Sequence, residues 1–199
     1  ADCINLALNG MFKDRRPDIV LSGINKGCNM GDDITYSGTV AAAMEATLLG
    51  VPSAAISLVH EDGEPLNFEL AASFALKILR EILNRGLGEG VLLNVNVPNI
   101  TADQVDRVEH TTLGPKAYLE SVERGNDGRR VHYWIYHNKP IGDHAEEGTD
   151  IWAVRHNRIS ITPMDPSFIA GHGGYDFGPV AQQLSSRLGV NGHRTNGHQ

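Results

Sequence analysis

The distribution of hydrophobic and polar positions divides the chain into two parts with different patterns. Up to residue 98, short apolar runs alternate with longer segments in which apolar residues recur at helical spacing. The short runs predict buried strands, and the longer segments predict helices with one apolar face. After residue 98, apolar and polar residues alternate along extended segments that turns separate, which predicts β structure. We therefore expect a mostly parallel α/β sheet followed by a β-rich C-terminal extension.

The same patterns predict three regions. Residues 1–98 hold the strands and helices of the core, and residues 99–188 form a β-hairpin region that returns to the core. Residues 189–199 are polar and rich in glycine, so we expect a disordered tail.

Residues 17–49 combine a short apolar run, a polar loop and a helix of small residues. The run Ile19–Leu21 predicts a strand, which can be central in the sheet. Glycine and asparagine then alternate as G-x-N-x-G-x-N-x-G over residues 23–31. Ser37 is the natural N-cap of the helix that follows. Capping alone is the commoner role for Ser37 and Thr39, but a helix N-terminus reached through a glycine-rich loop also favours anions.

The asparagines of this loop suggest a particular chemistry. Their amide oxygens can ligate hard cations, and their NH₂ groups can donate to phosphate. The loop matches neither the Walker motif G-x-x-x-x-G-K-[ST] nor the dinucleotide motif G-x-G-x-x-G. The pattern therefore favours a pocket for a metal ion and a phosphate group.

Other polar groups leave alternatives open. Adjacent carboxylates in an extended chain point in opposite directions, so we expect Asp33 to brace the loop rather than to share an ion with Asp32. Asn94 and Asn96 lie on one face of a predicted strand, either as satisfied polar groups or as partners behind the loop.

Two further segments carry ionisable residues. The acidic segment 143–150 has no zinc or EF-hand spacing, and a solvated loop is the favoured interpretation of it. His172 lies in the glycine-rich segment 170–175 and resembles a general base on a flexible loop, but the neighbouring residues supply no nucleophile.

Composition narrows the class of protein. The net charge of −7 argues against nucleic acid as a partner, because such binders need a basic patch. The 2 cysteines are too few for a disulfide framework, which indicates a reducing compartment. The sequence has neither a signal-peptide pattern nor an apolar run of membrane-spanning length, so we expect a cytoplasmic protein with no membrane partner.

The loop and the helix start also resemble a known family. The stretch S-G-I-N-K-G-C-N-M-G-D-D-I-T-Y-S-G-T-V-A-A-A, residues 22–43, is similar to the signature of the SurE nucleotidases, metal-dependent phosphatases of nucleoside monophosphates. L-N-V-N-V-P at residues 93–98 and G-T-D at residues 148–150 support the resemblance.

The resemblance implies a fold, an activity and roles for named residues. The fold would be a Rossmann-like sheet with helices on both faces and a projecting β-hairpin, and the activity that of a 5′-nucleotidase. Asn25 would ligate one divalent metal ion, Mg²⁺ or Mn²⁺, while Asn29, Ser37, Gly38 and Thr39 would hold the substrate phosphate. The assembly would be a homodimer or a homotetramer.

The resemblance also implies what this chain lacks. The family opens with a strand that ends in N-D-D-G, which supplies two metal-ligating aspartates, and this chain begins after it. We therefore expect residues 1–98 to be a partial core and any catalytic acid or base to belong to the opening segment. The alternative is a non-catalytic fragment that binds phosphate or nucleotides.

Overall fold

The structure is a computed structural model, and it describes residues 1–61, 63–115, 118–140, 145–166 and 183. For residues 118–121 and 135–140 only the backbone is described. Ala1–Pro166 form one compact unit. The proposed tail at 189–199, as well as Asp143, His144 and His172, lies outside the described residues.

The elements alternate between strands and helices as far as β3 and are mainly strands after it. In chain order they are α1 (Asp2–Leu6), a π-helical segment (Ala7–Met11), β1 (Val20–Lys26), a 3₁₀ helix (Gly31–Tyr36), α2 (Gly38–Leu48), β2 (Ser53–Val59), α3 (Glu69–Arg85), β3 (Leu92–Pro98), a 3₁₀ turn (Ala102–Gln104), β4 (Val108–His110), β5 (Tyr118–Asn126), β6 (Val131–Pro140), α4 (Asp150–Arg155) and β7 (Ile159–Met164).

The main sheet has the strand order β1-β2-β3-β7-β4. Its strands pair in parallel except for β3 with β7, which confirms the mostly parallel α/β sheet. Strands β5 and β6 form a separate antiparallel hairpin, as expected. Among the described strands, β1 lies at one edge of the sheet and not at its centre. A local apolar run indicates a strand but not its neighbours, because pairing depends on residues distant in sequence.

Helices cover both faces of the sheet, as expected. On one face, α3 packs its apolar stripe, which includes Phe74 and Ile78, on β2 and β3. On the other face, Val40 and Ala43 of α2 pack on Ala55 of β2 and on Leu92 of β3. Since successive side chains of a strand point to opposite faces, these two cores share the same strands.

The ends of the helices follow their sequence signals. Gly50 follows α2 with a φ of 77°, and Asn157 follows α4 with a φ of 56°; both conformations are left-handed, as expected for residues that end helices. Thr149 caps α4, because its side chain accepts a hydrogen bond from the N–H of Trp152. Among the described helices, none is long and apolar enough to cross a membrane.

Candidate functional site

The candidate site lies where β1, β2 and β3 end. Because these strands are parallel, their carboxyl ends meet at one edge of the sheet, which is where ligands bind in open α/β sheets. The register aligns Asn25 with Ser57, Ser57 with Asn96, and Asn96 with Ser160. A row of polar residues therefore crosses the sheet beneath the loop that joins β1 to α2.

The start of α2 has N–H groups that find no acceptor among the described residues. Ser37 is the N-cap, and its Oγ accepts a hydrogen bond from the N–H of Val40 at 3.1 Å, which confirms the expected cap. Within the described part of the chain, the N–H groups of Gly38 and Thr39 have no acceptor, as is usual in the first helical turn. A Cβ atom added to Gly38 would meet nothing within 4 Å. These two N–H groups, at the positive end of the helix, are available to an anion.

Asn25 pairs with Ser57 where the pairing of β1 with β2 resumes after an irregularity, and its side chain is half-buried. Its Nδ2 donates to the carbonyl oxygen of Gly27 at 3.0 Å, which fixes the orientation of the amide. No hydrogen bond to its Oδ1 occurs within the described residues, so this oxygen is available as a ligand for a hard cation.

A divalent cation needs more than the oxygen of Asn25. Divalent cations of the Mg²⁺ type take several oxygen ligands in ordered geometry. The described residues contain no group of three His, Cys, Asp or Glu side chains that could hold a metal ion. Within residues 1–61, 63–115, 118–140 and 145–166, the oxygen of Asn25 is therefore not accompanied by a His, Cys, Asp or Glu cluster that would complete a metal site.

Asn29 is a buried residue of the loop and is only 5 % exposed. Its N–H donates to Oδ1 of Asn96 at 2.9 Å, and its carbonyl oxygen accepts from Nδ2 of Asn94 and of Asn96, each at 2.8 Å. Its own Nδ2 donates to Oγ of Ser57 at 2.6 Å. The two asparagines of β3 therefore contact the loop directly, which supports their interpretation as partners behind it. One hydrogen of the Asn29 amide remains for another acceptor.

Asp150 holds the next part of the loop. Its Oδ2 accepts from the N–H of Gly31 at 2.9 Å, and its Oδ1 accepts from the N–H groups of Gly114 and Ile151, each at 2.8 Å. A Cβ atom on Gly31, whose φ is 52°, would collide with the carbonyl oxygens of Gly114 and Pro115, so the close approach requires glycine. One carboxylate thus joins three distant segments of the chain.

The environment of Asp150 affects its ionisation. The carboxyl is completely buried, and burial raises its pKa above the usual value, because water no longer stabilises the charge. The three N–H groups that donate to it act in the opposite direction and limit this rise in pKa.

Two expectations about acidic residues are corrected by the structure. Asp150 does not belong to a solvated acidic loop, since it is the buried first residue of α4, although Glu146 and Glu147 are exposed. Asp32 and Asp33 are not in extended chain but in the 3₁₀ helix, so the opposed directions of adjacent strand side chains do not apply to them. Ser57 was missed at the level of sequence, because a serine within an apolar run resembles any small buried residue.

Comparisons with known proteins identify relatives of this chain. Residues 1–120 match the model of the family described as "Survival protein SurE". The chain belongs to the SurE family. It is 46% identical over 164 residues to "5′-nucleotidase SurE" of Geobacter sulfurreducens, a match that covers 82% of this chain and 62% of that protein. It is 43% identical over 165 residues to the protein of the same name from Aquifex aeolicus, with 82% and 64% covered.

A solved structure extends the similarity to the fold. The crystal structure of the SurE protein from Aquifex aeolicus superposes with a TM-score of 0.73 at 38% identity, covering 92% of this chain and 72% of that chain. The SurE fold predicted from the motifs is therefore confirmed. The present chain spans about 62–64% of the length of these two curated SurE relatives.

Proposed function

We propose that this protein is a divalent-metal-dependent phosphohydrolase that acts on nucleoside monophosphates, a 5′-nucleotidase. The observation that carries the proposal is the start of α2, where the N–H groups of Gly38 and Thr39 have no acceptor among the described residues and Gly38 is exposed. Membership of the SurE family, whose relatives are named 5′-nucleotidases, supports the choice of substrate class.

The phosphate is held at the helix start in this proposal. The N–H groups of Gly38 and Thr39 donate to its oxygens. The hydroxyl hydrogens of Ser37 and Thr39, which donate to no other group among the described residues, do the same. Asn29 contributes the remaining hydrogen of its Nδ2. Because these donors are already oriented, they stabilise the negative charge that develops on the phosphoryl oxygens during hydrolysis.

Asn25 provides one ligand for the metal ion, Mg²⁺ or Mn²⁺, through its Oδ1. The other ligands, and the group that accepts the proton of the attacking water, come from outside the described residues. A bound divalent cation supplies positive charge to the phosphoryl oxygens. The negative net charge of the chain makes such a cation useful, since a phosphate otherwise meets few positive groups.

The alternative is a module that binds phosphate or nucleotides without turnover. The same N–H and hydroxyl donors suit this alternative. It is favoured because no carboxylate cluster accompanies the amide of Asn25 among the described residues. Binding needs only the helix start, whereas hydrolysis also needs the metal and a base.

Assembly and location form the last part of the proposal. The β5–β6 hairpin exposes Val122, Tyr133 and Trp134 at 57–65 %, which suits burial against a second copy in a homodimer or a homotetramer. We place the protein in the cytoplasm, with neither nucleic acid nor membrane as a partner.

The proposal is tested by two substitutions of one residue. Gly38→Pro removes one N–H, yet proline suits the first helical position, and the ψ of 119° at Ser37 suits a residue before proline. Gly38→Ala keeps the N–H and has room for its Cβ. With AMP and Mn²⁺, we expect phosphate release by Gly38→Pro to fall about 10²- to 10³-fold, as for loss of an oxyanion donor.

The matched control and the binding data decide between the outcomes. Gly38→Ala should release phosphate at nearly the rate of the unsubstituted chain, and both variants should keep its unfolding temperature. Equal rates for Gly38→Pro and Gly38→Ala would remove the helix start from the site. AMP binding by calorimetry without phosphate release from any of the three proteins would establish the binding module instead.

A further inference from the structure

Two asparagines of β3, Asn94 and Asn96, hold the main chain of Asn29 from below, and we call them the asparagine clamp. Both are completely buried. Both donate to the carbonyl oxygen of Asn29, and Asn96 also accepts from its N–H. We propose that the asparagine clamp is a positioning device of the phosphate site, which sets the distance between Asn25 and the start of α2. This inference rests on the proposed function.

The clamp acts on the middle of the connection between the two halves of the site. Between Asn25 and Ser37 the loop is attached at alternate residues: the N–H of Gly27 donates to Leu58 at 2.9 Å, Asn29 is held by the clamp, and the N–H of Gly31 donates to Asp150 at 2.9 Å. At Asn29 both main-chain groups are bound, so this residue is fixed more completely than either glycine. A shift there would move Asn25 relative to the helix start.

The energetic cost of the clamp argues for a purpose beyond packing. Oδ1 of Asn94 is buried without a hydrogen-bond partner within the described residues, which is unfavourable for a polar atom. An aliphatic side chain at residue 94 would avoid this cost, as the aliphatic residues on the other face of β3 do. The amide is retained where its NH₂ group holds the loop.

The chemistry of Asn96 also limits what can replace it. A carboxamide accepts from one main-chain group of Asn29 and donates to the other, whereas an ionised carboxylate can only accept. In Asn96→Asp, the charged group would lie against the carbonyl oxygen of Asn29 and lose the donated hydrogen bond. When it is protonated, the same group can donate again. The introduced carboxyl is buried, so its pKa should be raised.

The test compares Asn96→Asp with Val95→Thr, a matched substitution on the neighbouring residue of β3. Val95 is equally buried but packs in the core beneath α3, so its hydroxyl variant destabilises the sheet without touching the loop. At pH 7 we expect kcat for AMP to fall at least about tenfold in Asn96→Asp, because a small displacement of catalytic groups has a large effect on rate. Val95→Thr should lower the unfolding temperature and leave kcat nearly unchanged.

Acid pH separates positioning from general damage. The kcat and the unfolding temperature of Asn96→Asp, each relative to the unsubstituted chain at the same pH, should recover as pH falls and the introduced carboxyl takes up its proton. Val95→Thr should show no such recovery. Equal losses of kcat in the two variants, or no recovery in acid, would overturn the positioning role.

Hydrogen exchange gives a readout that needs no turnover. Asn96→Leu removes the acceptor of the Asn29 N–H, so exchange of that amide should accelerate, and binding of AMP measured by calorimetry should weaken. Unchanged exchange at Asn29 would eliminate the clamp, whatever the activity. If the unsubstituted chain neither hydrolysed nor bound AMP, the proposed function would be refuted instead. Failure of the clamp and failure of the proposed function are therefore distinguishable.

Discussion

The two faces of the central sheet use the same strands for different purposes. Beneath α3, strands β2 and β3 present aliphatic side chains, among them Ile56, Leu58 and Val95. On the opposite face the same strands present Ser57, Asn94 and Asn96, which are also completely buried. Apolar contacts are non-directional and add to stability in proportion to the area buried. Hydrogen bonds are directional, so the polar face fixes the position of the loop.

This difference in directionality predicts which face of the strands tolerates substitution. The face beneath α3 could be repacked with other aliphatic residues of similar volume at modest cost. The polar face could not be repacked in this way, because each amide must present its donor and its acceptor in given directions. We therefore expect substitutions on the two faces to separate stability from function.

The largest loss of stability is expected from Asp150→Ala. The substitution leaves the buried N–H groups of Gly31 and Gly114 without an acceptor. An unsatisfied buried donor costs about 1–3 kcal/mol, so the free energy of unfolding should fall by about 2–6 kcal/mol in a urea titration. The exposed Asp14 offers a control, for which Asp14→Ala should change this free energy by less than about 0.5 kcal/mol. A similarly small effect of Asp150→Ala would show that the loop does not depend on this carboxylate.

A loss of stability without loss of binding is expected from Ile56→Ala. Ile56 is 1% exposed in the apolar core, and truncation of such a side chain costs about 2–5 kcal/mol. AMP affinity, measured by calorimetry where the variant is folded, should stay near that of the unsubstituted chain. Leu83→Ala on the exposed side of α3 is the control and should have little effect on either quantity, since Leu83 is 51% exposed. Weaker AMP binding by folded Ile56→Ala would contradict the separation of the two faces.

The smallest effect is the pH dependence that Asp150 gives to stability. Burial raises the pKa of this carboxyl above 3.8 in the folded chain, despite the N–H groups that oppose the rise. The folded state therefore holds the proton to higher pH than the unfolded state. This contribution to stability is fully present below pH 3.8 and is lost as pH rises through the raised pKa.

Asp150→Asn provides the reference for this measurement, because an amide does not titrate in this range. Urea titrations between about pH 3 and pH 7 should show that the unfolding free energy of the unsubstituted chain, minus that of the variant, decreases as pH rises. A difference that increases with pH would mean that the donated hydrogen bonds outweigh burial.

Much of the site was predictable from local sequence. The G-x-N-x-G-x-N-x-G pattern and the position of Ser37 before a run of small residues predicted the loop and the N-cap, because capping depends on a few adjacent residues. The two asparagines of β3 were recognisable as a pair on one face, since a strand repeats every two residues. The metal-binding role of Asn25 stays a prediction. So do the phosphate-binding roles of four residues: Asn29, Ser37, Gly38 and Thr39.

Other features required the folded chain. Asp150 was assigned to a solvated acidic segment, but it is buried against Gly31 and Gly114, which are distant in sequence. The neighbours of β1 among the described strands were likewise not encoded in its own apolar run. Neither result could be predicted from a local pattern, because burial and strand neighbours are set by contacts between separate segments.

The sequence by itself determined the main strands and helices, the cap at Ser37 and the family, because helix and strand periodicity and the residues of a motif are properties of adjacent positions. Only the tertiary structure decided which polar residues meet. Asn29, Ser57 and Asn96 converge because parallel pairing aligns the carboxyl ends of β1, β2 and β3, and the loop then folds over the row of side chains at that edge. Because hydrogen bonds act over about 3 Å, these polar side chains can pair only when the register of the sheet is fixed.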